Sequence, residues 1–369
     1  MKLGLIGVGG AGGRIVDAIL RAEPKTGFSL TDGDVLCFDT DRDDLASLSK
    51  VPTDRRVPVG ETVDRVERSP VDGDADLAVE VARTDDYEIH RSFDVMPIEQ
   101  LDGLLLVASL AGGTGGGAGA AILEMCQDLF DPPVYTVAVL PHEDEGATAA
   151  RTAARSLQSI VPLADSVIAF DNDAWIDGAA DPPDYATANA ELASRIVRFL
   201  AVGDFGGVLA ERRADRTDIM RTLEIGGITS IGMAAVPVYS GWRRFVRWLP
   251  GVNPSLADGT NPAYRVKELV RMATTGPLTL PCEVNSAERA LVILSGPPEA
   301  LSRRGFESAR YWLEQEAETV EVIAGDEPRP GERQMRAVVV LSNVTNVPRI
   351  DAMQTQALRD EVPAIAEDQ

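Results

Sequence analysis

Short apolar runs alternate with amphipathic stretches through the first half of the chain. Leu3–Val8 runs into glycines, Asp34–Asp39 (DVLCFD) is a second such run, and Leu104–Leu110, Val134–Leu140 and Ser166–Phe170 follow. These runs are apolar on both faces, the pattern of strands covered from two sides. Between them, Ile15–Ala22, Ala118–Phe130 and Ala147–Val161 repeat apolar residues at helical spacing. Strands alternating with helices predict an α/β fold with a Rossmann-like parallel sheet.

From Val51 to Asp86 the chain is charged and proline-containing, which predicts loops, an edge strand and a helix at Asp76–Arg83. Pro182-Pro183 signal a helix start, with the helix itself over Tyr185–Leu200. Beyond the charged run Glu211–Asp218 the pattern changes. Strands are expected at Ile228–Val238, Leu278–Val284, Ala290–Ser295, Val320–Ile323 and Ala337–Ser342, with helices at Pro262–Ala273 and Pro298–Ala317. More strands per helix indicate a separate α+β domain. The expected division is residues 1–183, a central helix over 184–205, the α+β domain over 206–350, and a short, partly acidic, mobile tail over 351–369.

Charge narrows the class. The 369 residues carry a net charge of −23, and nearly every basic residue is Arg, with lysine only at Lys2, Lys25, Lys50 and Lys267. Such a surface stays hydrated in strong salt, where screening makes self-repulsion tolerable, and suggests a halophilic source. It disfavours nucleic-acid binding, because phosphate backbones need a positive face. Cys37, Cys126 and Cys282 lie far apart and read as buried thiols in a reducing compartment. With His90 and His142 the only histidines, a zinc site is not expected. The N-terminus begins directly with an apolar strand and has no signal-peptide pattern, so a cytoplasmic location is expected.

Two glycine turns carry the candidate chemistry. The first, Gly7-Val8-Gly9-Gly10-Ala11-Gly12-Gly13-Arg14, follows one strand and opens a helix. Glycines let backbone amides approach a phosphate, and the helix start then holds the anion. Gly7, Gly9 and Gly12 also fit G-x-G-x-x-G, with Asp39 ending the next strand, so a dinucleotide oxidoreductase remains an alternative. The second turn, Ala111-Gly112-Gly113-Thr114-Gly115-Gly116-Gly117-Ala118-Gly119, again joins a strand to a helix. Two phosphate cradles at neighbouring strand ends suit a triphosphate better than a dinucleotide. Neither turn has a Walker lysine, so backbone amides, the Thr114 hydroxyl and a divalent cation must balance the charge. The alternative is that the glycines only allow helices to pack closely on the sheet.

Gly113-Thr114-Gly115 within AGGTGGGAG is similar to the GGGTGTG signature of tubulin and FtsZ, with Gly116 where FtsZ has a second Thr. Gly10–Arg14 resembles the family's first phosphate loop, Arg14 replacing an Asn. Asp39-Thr40-Asp41 resembles its second loop, whose acid lies near magnesium. Asp72-Gly73-Asp74-Ala75 is a weaker match to the third loop. Pro141–Gly146 (PHEDEG) resembles the ribose loop, which makes Glu145 the ribose ligand; the arginine that follows in FtsZ falls at Ala149, with Arg151 and Arg155 out of register. Asp171-Asn172-Asp173-Ala174 resembles the sugar and base loop, putting Asn172 on guanine. Tyr185-x-x-x-Asn189 resembles the start of the central helix, where Tyr185 stacks on the base and Asn189 bonds its edge.

The resemblance implies a GTP/GDP site built from Gly9, Gly10, Ala11, Gly12, Gly13, Arg14, Asp39, Asp41, Gly112, Gly113, Thr114, Gly115, Gly116, Gly117, Glu145, Asn172, Tyr185 and Asn189, with Mg2+ held mainly by phosphates and water. Acidity and lysine scarcity point to the archaeal tubulin-like CetZ group, which implies head-to-tail self-assembly and a role in cell shape. Asp215-Arg216-Thr217-Asp218 resembles the loop whose carboxylates enter the next subunit's nucleotide site, which makes Asp218 the first catalytic candidate, Asp215 the second and Glu211 an outsider. The plainer reading is a helix N-cap at Thr217 or Asp218. The basic, aromatic segment Trp242–Leu249 stands where tubulin makes lateral contacts and is a candidate for filament or membrane-surface association. A nucleotide-binding scaffold with little turnover is the remaining alternative.

Overall fold

The computed structural model describes residues 1–27, 29–66, 69–176, 183–200, 215–238, 262–317 and 321–359. Two units divide the chain. One comprises Lys2–Val197, Gly226–Ile228 and Val347–Gln369; the other comprises Arg198–Ile225 and Thr229–Asn346 together with Met1.

The first unit is built on parallel strands in the order β3 (Arg56–Pro58), β2 (Val35–Asp39), β1 (Leu3–Val8), β4 (Gly103–Ser109), β5 (Val134–Leu140) and β6 (Ser166–Asp171). β1, β2, β5 and β6 are buried along their whole length, as their two-sided apolar sequences require. Helix α1 (Gly9–Thr26) follows β1, α2 (Arg42–Ser47) follows β2, and α3 (Ala75–Thr84) and α4 (Asp86–Ser92) precede β4. A π-helical turn, Thr114–Ala118, leads into α5 (Gly119–Leu129); α6 (Gly146–Ile160) follows β5, and α7 (Asn172–Trp175) follows β6. The predicted elements are present here, and α1 begins earlier than expected, inside the glycine turn itself. α4 has no counterpart among the predicted elements, since Asp86–Ser92 is too short to show a helical repeat. α8 (Tyr185–Leu200) begins in this unit.

The other unit contains α9 (Arg216–Leu223), β7 (Ile228–Pro237), α10 (Pro262–Thr275), β8 (Arg289–Gly296), α11 (Arg303–Glu316), β9 (Glu321–Pro328) and β10 (Gln334–Ser342). β10 pairs antiparallel with β7 and with β8, and β8 pairs parallel with β9. Such a mixed sheet is α+β in character. Leu278–Val284 is not a strand: Leu278 makes one isolated bridge to Gly232, and Val284–Ser286 is a single 3-10 turn. Its apolar residues Leu278 and Leu280 are buried without a ladder.

Residues 351–359 are not a tail. α12 (Pro348–Arg359) begins with Pro at its first position, and Ile350, Met353 and Ala357 are buried along one face. It packs on α6, within the first unit.

Candidate nucleotide-binding site

β1 and β4 are neighbours, with Val8 opposite Ala108, so the turns that follow them leave the sheet side by side. Gly9 takes a left-handed φ of 73°, which glycine adopts without strain. A Cβ on Gly9 would lie 2.9 Å from the Gly115 amide nitrogen and 3.3 Å from Thr114 Cβ. The two glycine turns therefore touch and share one place. The third loop joins them, since a Cβ on Gly113 would lie 2.8 Å from the Gly73 amide nitrogen. The second loop joins through side chains. Thr114 Oγ1 donates to Asp39 Oδ1 at 3.2 Å and shares a hydrogen bond of 2.9 Å with Thr40 Oγ1, which accepts the Val71 N–H at 3.4 Å.

Helix caps show where an anion is wanted. Asp41 caps α2, Asp74 caps α3, Asp171 caps α7 and Ser302 caps α11. α1 and the turn Thr114–Ala118 have no side-chain cap and no acid in their first turn, which is also true of α6. At the start of the second turn the Gly116 N–H bonds the Gly112 carbonyl oxygen at 2.9 Å; at both glycine turns the helix dipole favours a negative group.

The glycines do two different jobs. A Cβ on Gly112 would meet nothing among the described residues within 4 Å. At Gly12, Gly115, Gly116 and Gly117 it would be driven into the carbonyl oxygens of Val107, Ser109, Leu110 and Ala75 respectively. These four allow close packing of backbone on backbone. Arg14 is paired with Asp44 at 3.0 Å, and the Asp44 carboxylate stands over Gly10, where a Cβ would collide with it. Asp41 accepts the Asp43 N–H at 2.8 Å. In this geometry Arg14 is tied across to α2, and Asp41 bonds within its own loop.

Asp39 is 3% exposed, and its Oδ2 has no hydrogen-bond partner among the described residues. Burial, reinforced by the nearby Asp44 charge, pushes its carboxyl up to about 6, against hydrogen bonds from Asp41 and Thr114. An acid raised in the folded state costs stability while both states are ionised, and that cost fades as pH falls from about 6 toward 3.8. Asp39→Asn should therefore stabilise the nucleotide-free fold by about 2 kcal/mol at pH 7.5 and by little near pH 4. Urea titrations of both proteins at the two pH values check this.

The second half of the site lies at the ends of β5 and β6. His142–Glu145 forms a reciprocal cap in which Glu145 Oε1 accepts the His142 N–H at 2.8 Å. Tyr185 Oη donates to the same oxygen at 3.5 Å, so the central helix reaches the ribose loop. Asp173 Oδ1 accepts the Glu143 N–H at 3.0 Å, tying the ribose loop to the base loop. Asn172 is 6% exposed, Tyr185 is 38% exposed and Asn189 is half-buried. In the same short helix as Asn172, Trp175 stacks on Phe170 at 5.6 Å, and the Arg195 guanidinium lies 4.2 Å over the Trp175 ring. Burial raises the Asp171 carboxyl, and the Arg349 charge and hydrogen bond oppose it.

Sequence reasoning assigned no role to Thr40, Asp44 or Arg349. Arg349 contacts Asp171 and Pro141 from far along the chain, and no local signal announces it. In the other unit, Asp215 caps α9, correcting the expectation of Thr217 or Asp218. Asp215 Oδ1 accepts the Asp218 N–H at 3.0 Å, and Asp218 Oδ2 accepts the Asp215 N–H at 3.3 Å. Glu211 and Trp242–Leu249 lie outside the described residues. Among the described residues no helix is long and apolar enough to cross a membrane.

Residues 2–180 match the family model for the Tubulin/FtsZ family, GTPase domain, and residues 182–359 match that for Tubulin-like CetZ, C-terminal domain. The chain is 41% identical to the tubulin-like protein CetZ3 of Haloferax volcanii over 99% of its own length and 94% of that protein. Among solved structures, it superposes with a TM-score of 0.81 on CetZ1 from Haloferax volcanii, a GDP-bound monomer, at 34% identity over 98% of this chain and 100% of that one. The TM-score is also 0.81 for CetZ2 from Haloferax volcanii, a GTPγS-bound protofilament, at 28% identity over 97% and 98% of the two chains. These matches remove the dinucleotide oxidoreductase alternative: the chain belongs to the tubulin/FtsZ family of GTPases, as a tubulin-like CetZ protein.

Proposed function

We propose that this protein binds GTP, assembles head-to-tail into filaments and hydrolyses GTP to GDP and phosphate at the junction between subunits. The observation that carries this reading is the meeting of two uncapped glycine turns with the Asp39–Thr40–Thr114 network. The amides of Gly9–Gly13 and of Gly112–Thr114 cradle the phosphates. Gly115, Gly116 and Gly117 let the second turn come close enough to do so. Glu145 holds the ribose, Asn172 and Asn189 bond the guanine edge, and Tyr185 stacks on the base.

The buried Oδ2 of Asp39, without a hydrogen-bond partner among the described residues, suits a hydrated Mg2+ bound to the phosphates, whose charge would offset the phosphate oxygens. Asp218, with Asp215 beside it, orients the attacking water on a neighbouring molecule. Such a contact is heterologous and open-ended, which makes filaments. The CetZ2 relative seen as a GTPγS-bound protofilament supports this arrangement. In this reading the nucleotide domain is residues 1–183 together with α12, and the acids come from the other unit, which ends at Asn346 rather than at the expected Ile350. We place the protein in the cytoplasm, in control of cell shape, with Trp242–Leu249 available for lateral or membrane-surface contact.

A shared site makes turnover depend on assembly. In high KCl with saturating GTP, phosphate release per molecule should climb with protein concentration and track the sedimented fraction. A rate per molecule that stays constant down to monomeric dilution would rule out the shared site.

A further inference from the structure

The loops assigned to ribose and base are held from outside by a residue far away in sequence. Arg349 Nε donates to Asp171 Oδ1 at 3.2 Å, and its Nη2 donates to the Pro141 carbonyl oxygen at 2.7 Å. The two partners lie 178 and 208 positions away in the chain. Pro141 leads into the ribose loop with Glu145, and Asp171 immediately precedes Asn172. One guanidinium thus ties together the ends of the two strands from which these loops depart. Its side chain is 12% exposed and that of Asp171 is 3% exposed, so water competes little for either bond.

The helix that delivers it is anchored in the same neighbourhood. α12 packs on α6, which grows directly out of the ribose loop at Gly146. Arg349 sits in the first turn of α12, and the buried Ile350 and Met353 fix that turn against the unit. A planar fork with two fixed donors suits this task, whereas a lysine offers a point charge that cannot hold both acceptors in the same geometry.

We propose that Arg349 is a positioning residue for guanine and ribose recognition, so that the C-terminal helix α12 sets nucleotide affinity and base selectivity without touching the nucleotide. This rests on the reading of Glu145 and Asn172 as ribose and base contacts. Loosening the clamp should let the two loops move relative to each other while the phosphate turns, built on β1 and β4, stay in place.

The test compares wild type with Arg349→Ala, Arg349→Lys and Asn172→Ala. GTP and ATP affinities are measured by titration, and KM and kcat by phosphate release at one fixed protein concentration. Arg349→Ala should weaken GTP binding about tenfold, raise KM by a similar factor, lower the GTP-to-ATP preference and change kcat less than twofold. Arg349→Lys keeps a counter-charge for Asp171 and so guards against a failure to fold; it should fall between wild type and Arg349→Ala in both affinity and preference. Wild-type affinity and preference in Arg349→Lys would overturn the proposal. So would a loss in Arg349→Ala that falls on kcat, with the base preference unchanged, since that is what general structural damage produces. If Asn172→Ala binds GTP like wild type, the base-site reading itself fails, an outcome distinct from failure of the clamp.

Discussion

Asp218→Asn should bind GTP as wild type does, sediment with it, and release phosphate about a hundredfold more slowly or worse. In the proposed mechanism the carboxylate has two separable jobs. It accepts the Asp215 N–H at 3.3 Å in the reciprocal cap of α9, and an asparagine oxygen can accept the same bond. The fold therefore loses little, well under the roughly 1 kcal/mol of a lost N-cap. What disappears is the negative charge proposed to orient and polarise a water, a contribution of about 10²–10⁴ in rate for a positioned acid–base group. Asp215→Asn should show a smaller loss, because its Oδ1 is committed to the Asp218 N–H at 3.0 Å. Phosphate release at saturating GTP, with sedimentation alongside, checks both. An Asp218→Asn protein that turns over at the wild-type rate removes this carboxylate from the mechanism. A wild type that assembles but releases no phosphate supports a nucleotide-dependent scaffold instead.

Much of the nucleotide-binding unit could be read from residue order, because each buried parallel strand declares itself as an apolar run and the turns after β1 and β4 as glycines. β1, β4, β5 and β6 fell where the runs predicted. Elements without a local signature did not. Leu278–Val284 has strand-like residues, yet its burial comes from packing, so composition suggested a ladder that the backbone does not form. The helix of α12 was hidden by an acidic end-of-chain composition, although Ile350, Met353 and Ala357 carry its buried stripe. Contacts between distant residues were invisible by nature. Nothing near Gly10 in sequence says that Asp44 will stand over it, and nothing near Asp171 says that Arg349 will reach it. The N-cap of α9 was misplaced by a few residues because Asp215, Thr217 and Asp218 all have capping side chains, and only backbone geometry selects Asp215.

The glycine turns give the second large effect, since identical residues there should respond in opposite ways. Gly12→Ala and Gly117→Ala should destabilise the fold by about 3 kcal/mol each, while Gly112→Ala should leave stability within about 0.5 kcal/mol and weaken GTP binding about tenfold. At Gly12 the added methyl is driven into the carbonyl oxygen of Val107 in β4, and at Gly117 into that of Ala75 at the start of α3. Both obstacles are backbone, held by the sheet in one case and by a capped helix in the other, so neither can swing aside as a side chain would. Alanine's better helix propensity, about 1 kcal/mol over glycine, offsets only part of this at Gly12 inside α1. Gly112 is exposed, has no left-handed φ and has nothing among the described residues within 4 Å of an added Cβ. A methyl there meets no atom of the described residues, so a loss confined to binding points to crowding of the phosphate that the turn is proposed to hold. Urea midpoints of the nucleotide-free proteins, read beside GTP titrations, separate the two classes. Equal destabilisation at all three positions would mean that the turn is a packing device throughout, and the phosphate reading would then rest on the uncapped start of α1.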